Sequence, residues 1–387
     1  MKHVGIICEY NPFHTGHARL LEAVQGAETV ICLMSGHFTQ RGEAAILPSA
    51  VRAEMAIEAG ADLVLELPFP IAASSASYFA TGAVRALGAL GVDTLAFGSE
   101  TGDEKALLAL AEQLPTGNFR KNLADGAQNV GDAAAYFMAS GADISSNDIL
   151  GVAYLHAISR LKLKMTPFVL KREGAAYLEK ELEGQQYPSA TALRQCIKEG
   201  GDVHSFLPAA SREAFLKGAE KYGFADTAKL GTALLARLRT SLSDTVSGDI
   251  AECGGGLLER LQKAAMEASD YESLCRAAAT KRYTDGRIRR ALLCLLAGVK
   301  KEDLTAPPAY LRLLGASERG RKYLAKTAKT RTVPVVTRPC EIVALGEKAR
   351  RQRELALSAD ALFSLCLEKP LTPHALQTMK PYFKTFT

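Results

Sequence analysis

Two histidines separated by a glycine, in the run His14-Thr15-Gly16-His17, carry the strongest chemical signal in the chain. They follow an apolar stretch, Val4 to Cys8, across the polar turn that begins at Glu9, and they precede the periodic apolar residues Leu20, Leu21 and Val24. Strand, turn and helix in that order place both imidazoles at a helix N-terminus, where unpaired backbone N–H groups and the positive end of the helix dipole favour anions. Phosphate is the natural ligand and a nucleoside triphosphate the simplest carrier of it. Gly16 lets backbone approach a phosphate closely, while His14 and His17 donate to oxygens whose charge grows in a transition state, without moving a proton themselves. Zinc is a poor alternative because no Cys or carboxylate cluster nearby completes a ligand set. As exposed residues at a helix start, the two histidines should contribute little to folding.

Two further stretches have the residue types for phosphate or nucleotide chemistry. In Tyr187-Pro188-Ser189-Ala190-Thr191-Ala192-Leu193-Arg194 the hydroxyls open a helix and Arg194 sits one turn in. Such a segment either caps its helix or binds phosphate. The loop Ser35-Gly36-His37-Phe38-Thr39-Gln40-Arg41-Gly42-Glu43 concentrates polar side chains directly after a second apolar run.

The elements that must position these residues alternate regularly in the first half. Strands are expected at Val4–Cys8, Thr29–Met34, Leu63–Leu67, Thr94–Phe97 and Pro167–Leu170. Helices are expected at Gly16–Val24, Val51–Glu58, Ala72–Leu90, Glu104–Leu114, Asp148–Leu161 and Thr191–Lys198. Alternating β and α with buried strands predicts an α/β doubly wound parallel sheet, whose ligands sit at the carboxyl ends of the strands near the switch in strand order. The loops Glu9–Gly16, Ser35–Glu43, Gly98–Asp103 and Lys171–Gly174 are then the candidate walls. Beyond residue 200 helical spacing dominates, at Ser211–Lys221, Leu230–Leu242, Leu257–Glu267, Tyr271–Ala279, Asp285–Leu296, Glu318–Lys329, Ile342–Leu355 and Ala359–Cys366. One late strand is expected at Val333–Val336. The reading is therefore a catalytic domain over residues 1–200 and a mainly helical one over 201–387.

The 387 residues carry a net charge of +5 with 48% hydrophobic and 23% charged residues, as in a soluble globular protein. No apolar run is long enough for a membrane span and the N-terminus enters a strand directly, which predicts a cytoplasmic location. Eight cysteines without a Cys-x-x-Cys pair read as reduced thiols. Charge is unevenly divided. Residues 1–170 hold 11 Lys and Arg against 17 Asp and Glu, whereas residues 171–387 hold 36 against 25. Basic clusters at Arg287-Ile288-Arg289-Arg290, Arg319-Gly320-Arg321-Lys322 and Lys348-Ala349-Arg350-Arg351-Gln352-Arg353 make the second half the expected nucleic-acid surface, with Arg287, Arg289, Arg290, Arg321 and Lys322 as its candidate contacts.

The His-x-Gly-His pattern after a first strand resembles that of the nucleotidylyltransferase superfamily, and the Ser189-Ala190-Thr191…Arg194 helix start resembles its second signature. More specific wording lies in Met34-Ser35-Gly36-x-Phe38-x-Gln40-Arg41-Gly42-Glu43, Glu9-Tyr10-Asn11-Pro12-Phe13, Phe97-Gly98-Ser99-Glu100, Ser146-Asn147-Asp148-Ile149-Leu150-Gly151, Lys281-Arg282-Tyr283-Thr284 and Tyr310-Leu311-Arg312-Leu313-Leu314-Gly315. Together these resemble the bacterial tRNA(Met) cytidine acetate ligase family over nearly the whole chain. The resemblance implies a nucleotidylyltransferase-like Rossmann fold. It also implies an enzyme that joins acetate to ATP, with Mg²⁺ accompanying the nucleotide, and passes the acetyl group to the wobble cytidine of elongator tRNA(Met). By the same resemblance the ATP site falls on Ile7, Cys8, Glu9, Tyr10, Asn11, Pro12, Phe13, His14, Thr15, Gly16, His17, Ala18, Arg19 and Leu20. Gly98, Asn147 and Arg172 complete it, with Ser189, Thr191 and Arg194 at the triphosphate. Where the family tends to carry a Lys followed by Trp, this chain has Pro48-Ser49-Ala50-Val51-Arg52 and contains no Trp. Arg41, Arg52 and Arg172 are the candidates to supply that charge. No protein partner is indicated. The rival readings are an adenylyltransferase for a small phosphate ester and an RNA-binding protein with a vestigial nucleotide site.

Overall fold

The computed structural model describes residues 1–114, 144–172, 187–240 and 249–384. In the first half the order is β1 (His3–Cys8), α1 (Thr15–Ala23), β2 (Thr29–Ser35), α2 (Ser49–Glu58), β3 (Leu63–Leu67), α3 (Ala76–Leu90), β4 (Thr94–Ser99), α4 (Glu104–Gln113), α5 (Ser146–Arg160), β5 (Thr166–Lys171) and α6 (Ala190–Lys198). The second half runs α7 (Ala209–Tyr222), α8 (Gly231–Thr240), α9 (Leu257–Glu267), α10 (Tyr271–Ala278), α11 (Asp285–Ala297), α12 (Lys301–Thr305), β6 (Leu311–Ala316), α13 (Glu318–Lys326), β7 (Val335–Val336), α14 (Pro339–Val343), α15 (Glu347–Cys366), α16 (Pro373–Gln377) and β8 (Tyr382–Phe383).

The strands form a single sheet in the order β5-β4-β1-β2-β3-β6-β7, with β8 also on β6. The first five are mutually parallel. Val30, Ile31, Cys32, Leu33 and Met34 of β2 are all at most 1% exposed, because helices cover both faces of the sheet. One core lies between the sheet and α1, α2 and the later helices, and a second lies under α3, α4 and α5. The chain walks from β1 through β2 to β3, then returns to lay β4 on the other flank of β1, so strand order switches between β1 and β4. A crevice opens outside the carboxyl ends of strands at such a switch.

The second half is mainly helical, yet it returns three strands to this sheet. Leu311–Ala316 pairs antiparallel with β3, and β7 and β8 pair parallel with it. Sequence reasoning expects no strand there, because a six-residue run rich in Leu and ending in Gly-Ala has no period of its own; the open edge of β3 makes it a strand. The helices expected at Ile342–Leu355 and Ala359–Cys366 are in fact a short α14 and one continuous α15, with Gly346 at φ 87° between them. The expected helix Ala72–Leu90 begins as a separate 3₁₀ turn, Ile71–Ala73, and α8 ends at Thr240, with Ser241 and Leu242 outside the described residues. The loop after β5 is likewise described only to Arg172, so Gly174 lies outside it. Among the described residues no helix is long and apolar enough to cross a membrane.

Candidate active site

The His-x-Gly-His run is a reciprocal helix cap built from imidazoles. His14 is the N-cap of α1, and its Nδ1 accepts the Gly16 N–H at 3.1 Å; His17, three residues on, accepts the His14 N–H on its own Nδ1 at 3.4 Å. With both Nδ1 atoms acting as acceptors, each neutral ring carries its proton on Nε2 and is a hydrogen-bond donor there. The rings lie 3.8 Å apart, centroid to centroid. Burial first, then the positive charges of Arg172 and Arg194, lowers the His14 pKa to about 3. Burial of its ring, then His14 and Arg172, lowers that of His17. Both are neutral donors at physiological pH. Gly16 is required by the pair itself, since a Cβ there would stand 2.9 Å from His14 Cε1. His14 is only 2% exposed and caps α1, and His17 is half-buried, which differs from the expectation that both are exposed and contribute little to folding.

Both rings line a cleft of about 210 Å³ over the carboxyl ends of β1 and β4. Of the residues expected at a nucleotide, Ile7, Cys8, Glu9, Tyr10, Asn11, Gly16, Arg19, Leu20, Gly98, Asn147, Arg172, Thr191 and Arg194 also reach it. Pro12, Phe13, Thr15, Ala18 and Ser189 do not line it. Phe13 is fully buried and edge-on to Tyr10, and Ala18 is buried on α1. Ser189 is the N-cap of α6, accepting from Ala192 N at 3.1 Å, so of the two readings of that helix start the cap holds for Ser189. Thr191 and Arg194 instead face the cleft, with Arg194 Nη1 on the Asn11 carbonyl at 2.8 Å and Nη2 on Thr191 Oγ1 at 3.3 Å.

Two of the sequence motifs interlock to place Asn147 and Arg172. Ser145 caps α5. Asp148 is 1% exposed and accepts from Ser99 Oγ and from the N–H groups of Glu100 and Thr101, clamping the turn after β4 to the start of α5. Glu100 in turn accepts from Asn147 Nδ2 and Ser145 Oγ and lies 3.9 Å from Arg172 Nε. A Cβ on Gly98 would meet Arg172 Cγ at 3.2 Å, so this glycine makes room for the arginine to lie across β4.

The loop after β2 is a wall as expected, and it supplies Thr39, Gln40, Arg41 and Glu43, which are not among the individual residues expected at ATP. Its position after a strand's carboxyl end was the available signal. Tyr154, on the third turn of α5, gave none, because no periodicity says which helical turn faces a crevice. The loop is held from below by Arg52, which is fully buried and donates to the carbonyls of Leu47, Glu9, Ser35 and Gly36. Arg52 therefore welds the loops after β1 and β2 together, leaving Arg41 and Arg172 as the cleft-lining candidates for the charge that the absent Lys would bring.

Two of the candidate nucleic-acid contacts are buried, and a third is half-buried and paired. Arg287 is 3% exposed, donates to the Gly254 carbonyl at 2.7 Å and lies over the Tyr283 ring; Arg290 is 9% exposed and 3.4 Å from Glu252. Arg289 is ion-paired with Glu43 of the cleft loop. Gly42, at φ 73°, sits against the backbone of Arg289 and Arg290, where any Cβ would collide. This face of α11 is a buttress for the loop, not an open basic surface. A charge cluster in sequence does not reveal that a neighbour will cover it. Arg321 and Lys322 are exposed on α13, which docks by its N-terminus on Asp62 at the amino ends of the strands, opposite the cleft. Among the described residues no cluster of His, Cys, Asp and Glu is arranged to hold a metal ion.

The arrangement offers a wall of Ile7, Leu20, Phe97 and Leu150 for a flat apolar ring, and Arg41, Arg172, Arg194 and the two imidazole donors for phosphate. The family model described as HIGH Nucleotidyl Transferase matches residues 1–378. A tRNA(Met) cytidine acetate ligase of Syntrophotalea carbinolica is 37% identical over 359 residues, 87% of this chain and 85% of that protein. One of Bacillus subtilis is 33% identical over 401 residues, covering 96% and 94%. The crystal structure of Thermotoga maritima TmcAL bound with alpha-thio ATP superposes with a TM-score of 0.86 at 29% identity over 100% of both chains, and its apo form gives 0.85 over 99% of both.

Proposed function

Because the chain belongs to the HIGH nucleotidyl transferase family, we propose that it is a tRNA(Met) cytidine acetate ligase. In this reading it activates acetate with ATP and acetylates the exocyclic amine of the wobble cytidine of elongator tRNA(Met), giving acetylcytidine. The observation that carries the reading is the capped imidazole pair, two neutral Nε2–H donors at the N-terminus of α1 inside the cleft at the strand-order switch.

An acetate oxygen attacks the α-phosphorus of ATP, the bond to the bridging oxygen breaks, and pyrophosphate leaves. His14 and His17 donate to phosphate oxygens as charge shifts onto them, a role that needs neutral donors and no proton transfer. Arg41, Arg172 and Arg194 supply fixed positive charge, and Glu100 holds Asn147 and Arg172 in place. Mg²⁺ would supply further charge neutralisation. The cleft carboxylates are engaged, Glu9 with Gln40 N and Glu43 with Arg289 and Arg194, so the triphosphate and water are its fitting ligands. The cytidine amine then attacks the acetyl carbonyl, the mixed anhydride opens, and AMP leaves with the electron pair as the nitrogen loses its proton. We assign activation to residues 1–200 and delivery of the tRNA to residues 201–387, whose basic surplus suits a polyanion.

The test is isotope exchange followed by transfer. Labelled pyrophosphate should enter ATP when acetate is present and tRNA absent, and labelled acetate should then appear on elongator tRNA(Met) but not on a variant with uridine at the wobble position. Exchange that ignores acetate would replace this reading by adenylylation of another substrate, and transfer to the uridine variant would overturn the assigned target.

A further inference from the structure

A second cavity, of about 170 Å³, opens on the same edge of the sheet, beyond the carboxyl end of β3 and the start of the antiparallel β6. β3 lies two strand spacings, about 10 Å, from β1 and hence from the nucleotide cleft. Phe69, Ile342, Leu357 and Met379 give the cavity an apolar side, with the Gln377 amide as a donor and an acceptor at the wall and the carboxylates of Glu66 and Asp360 engaged by Arg312 and His37. Three guanidinium groups line it, of which Arg312 is held by Glu66 at 2.7 Å. Arg338, whose Nε donates to Glu341 at 2.9 Å, has a side chain 76% exposed, and Arg353 has a buried Nε with no hydrogen-bond partner. Outside it, Lys348 and Arg350 at the start of α15 are exposed, as are the apolar Val343 and Leu345, at 59% and 37%. The basic cluster 348–353, of which Arg353 lines the cavity while Arg351 is held on Asp303, thus borders a slot that suits a base, which is flat, apolar on its faces, polar at its edge and attached to phosphate. Unpaired RNA bases are recognised by this combination.

One hydrogen bond ties the cavity to a wall of the cleft. Asp360 lines the cavity and bonds His37 Nδ1 at 2.7 Å, and His37 opens the loop that carries Thr39, Gln40 and Arg41 into the nucleotide cleft. We propose that this cavity receives a second unpaired base of the tRNA substrate, besides the cytidine that is acetylated, with its flanking phosphates on Arg338 and Arg353. The proposal rests on the tRNA acetate ligase reading above.

The experiment uses the full chain with Ala356→Phe, which fills the cavity from α15, and Arg353→Glu, which reverses charge at its wall. Gln377→Ala replaces Ala356→Phe if that variant does not fold by its melting transition. Acetate-dependent exchange of pyrophosphate without tRNA should stay within about twofold of wild type, while KM for tRNA in acetyl transfer rises about tenfold. A series of tRNAs, each abasic at one anticodon-loop position other than the wobble position, should show one position that costs wild type about tenfold, and that cost should vanish in Ala356→Phe or its replacement. An unchanged KM, an unchanged abasic profile, or loss of exchange alongside transfer would each overturn the proposal. The ligase reading fails separately, by the absence of acetate-dependent exchange in wild type.

Discussion

His14 does two jobs through two different nitrogens, and substitutions can separate them. Nδ1 accepts the Gly16 N–H and closes the first turn of α1; Nε2–H faces the cleft and is, in the proposed function, the donor to phosphate. Asn places an oxygen close to where Nδ1 stands and is among the best N-cap residues, whereas Gln places its amide nitrogen close to Nε2 but reaches past the cap. His14→Ala loses both. The cap is worth about 1–2 kcal/mol, which at this chain length is a fall of roughly 2 °C in melting temperature. Loss of one preorganised donor to a transition-state oxygen costs about 10²–10³ in rate. His14→Asn should therefore melt near wild type yet lose about two orders of magnitude in acetate-dependent pyrophosphate exchange, and His14→Gln should show the reverse ordering, less stable but the more active of the two. Thermal denaturation and exchange on the same preparations give both numbers. An Asn variant as active as wild type would refute the assignment of Nε2 as the working donor, and an Ala variant as stable as wild type would refute the cap.

Acid should destabilise the fold through the same ring. The folded-state pKa of His14, about 3, lies below the unfolded value near 6.5, so the unfolded chain binds the extra proton and stability, constant above about pH 6.5, falls below it by roughly 2 kcal/mol at pH 5; urea titrations at pH 7 and 5 measure this, and His14→Asn should lessen the difference. Between pH 6 and 8 neither imidazole changes charge in the free protein, so kcat/KM for ATP, corrected for the ionisation of ATP itself, should show no histidine limb in that range. Glu100→Ala releases Asn147 and Arg172 together and should raise KM for ATP about tenfold with a smaller effect on kcat, as steady-state kinetics would show. Arg52→Lys keeps the charge but cannot span four carbonyls with one ammonium, and should cost about 2–4 kcal/mol by chemical denaturation.

The alternation of short buried runs with amphipathic stretches was enough to read the parallel sheet, its five leading strands and the helix that presents the histidines, because those elements follow from local period and from turn chemistry at their ends. The cleft was legible for a related reason: in a doubly wound sheet the loops after the strands must converge, so Glu9, Gly98 and Arg172 were placed at its walls by topology before any contact was known. Direction and depth of individual side chains were not legible. Arg52 and Arg287 look like surface cations in a string of letters and prove to be buried, since what covers them comes from residues far along the chain. Leu311–Ala316 has no signal of its own and becomes a strand only because the edge of β3 offers unpaired N–H and C=O groups that must be satisfied. Local pattern determines what each segment can be. Which of its surfaces meets solvent, a ligand or another segment is set by long-range packing, and it was there that tertiary structure decided the roles of Arg41, Arg52, Arg287 and the second cavity.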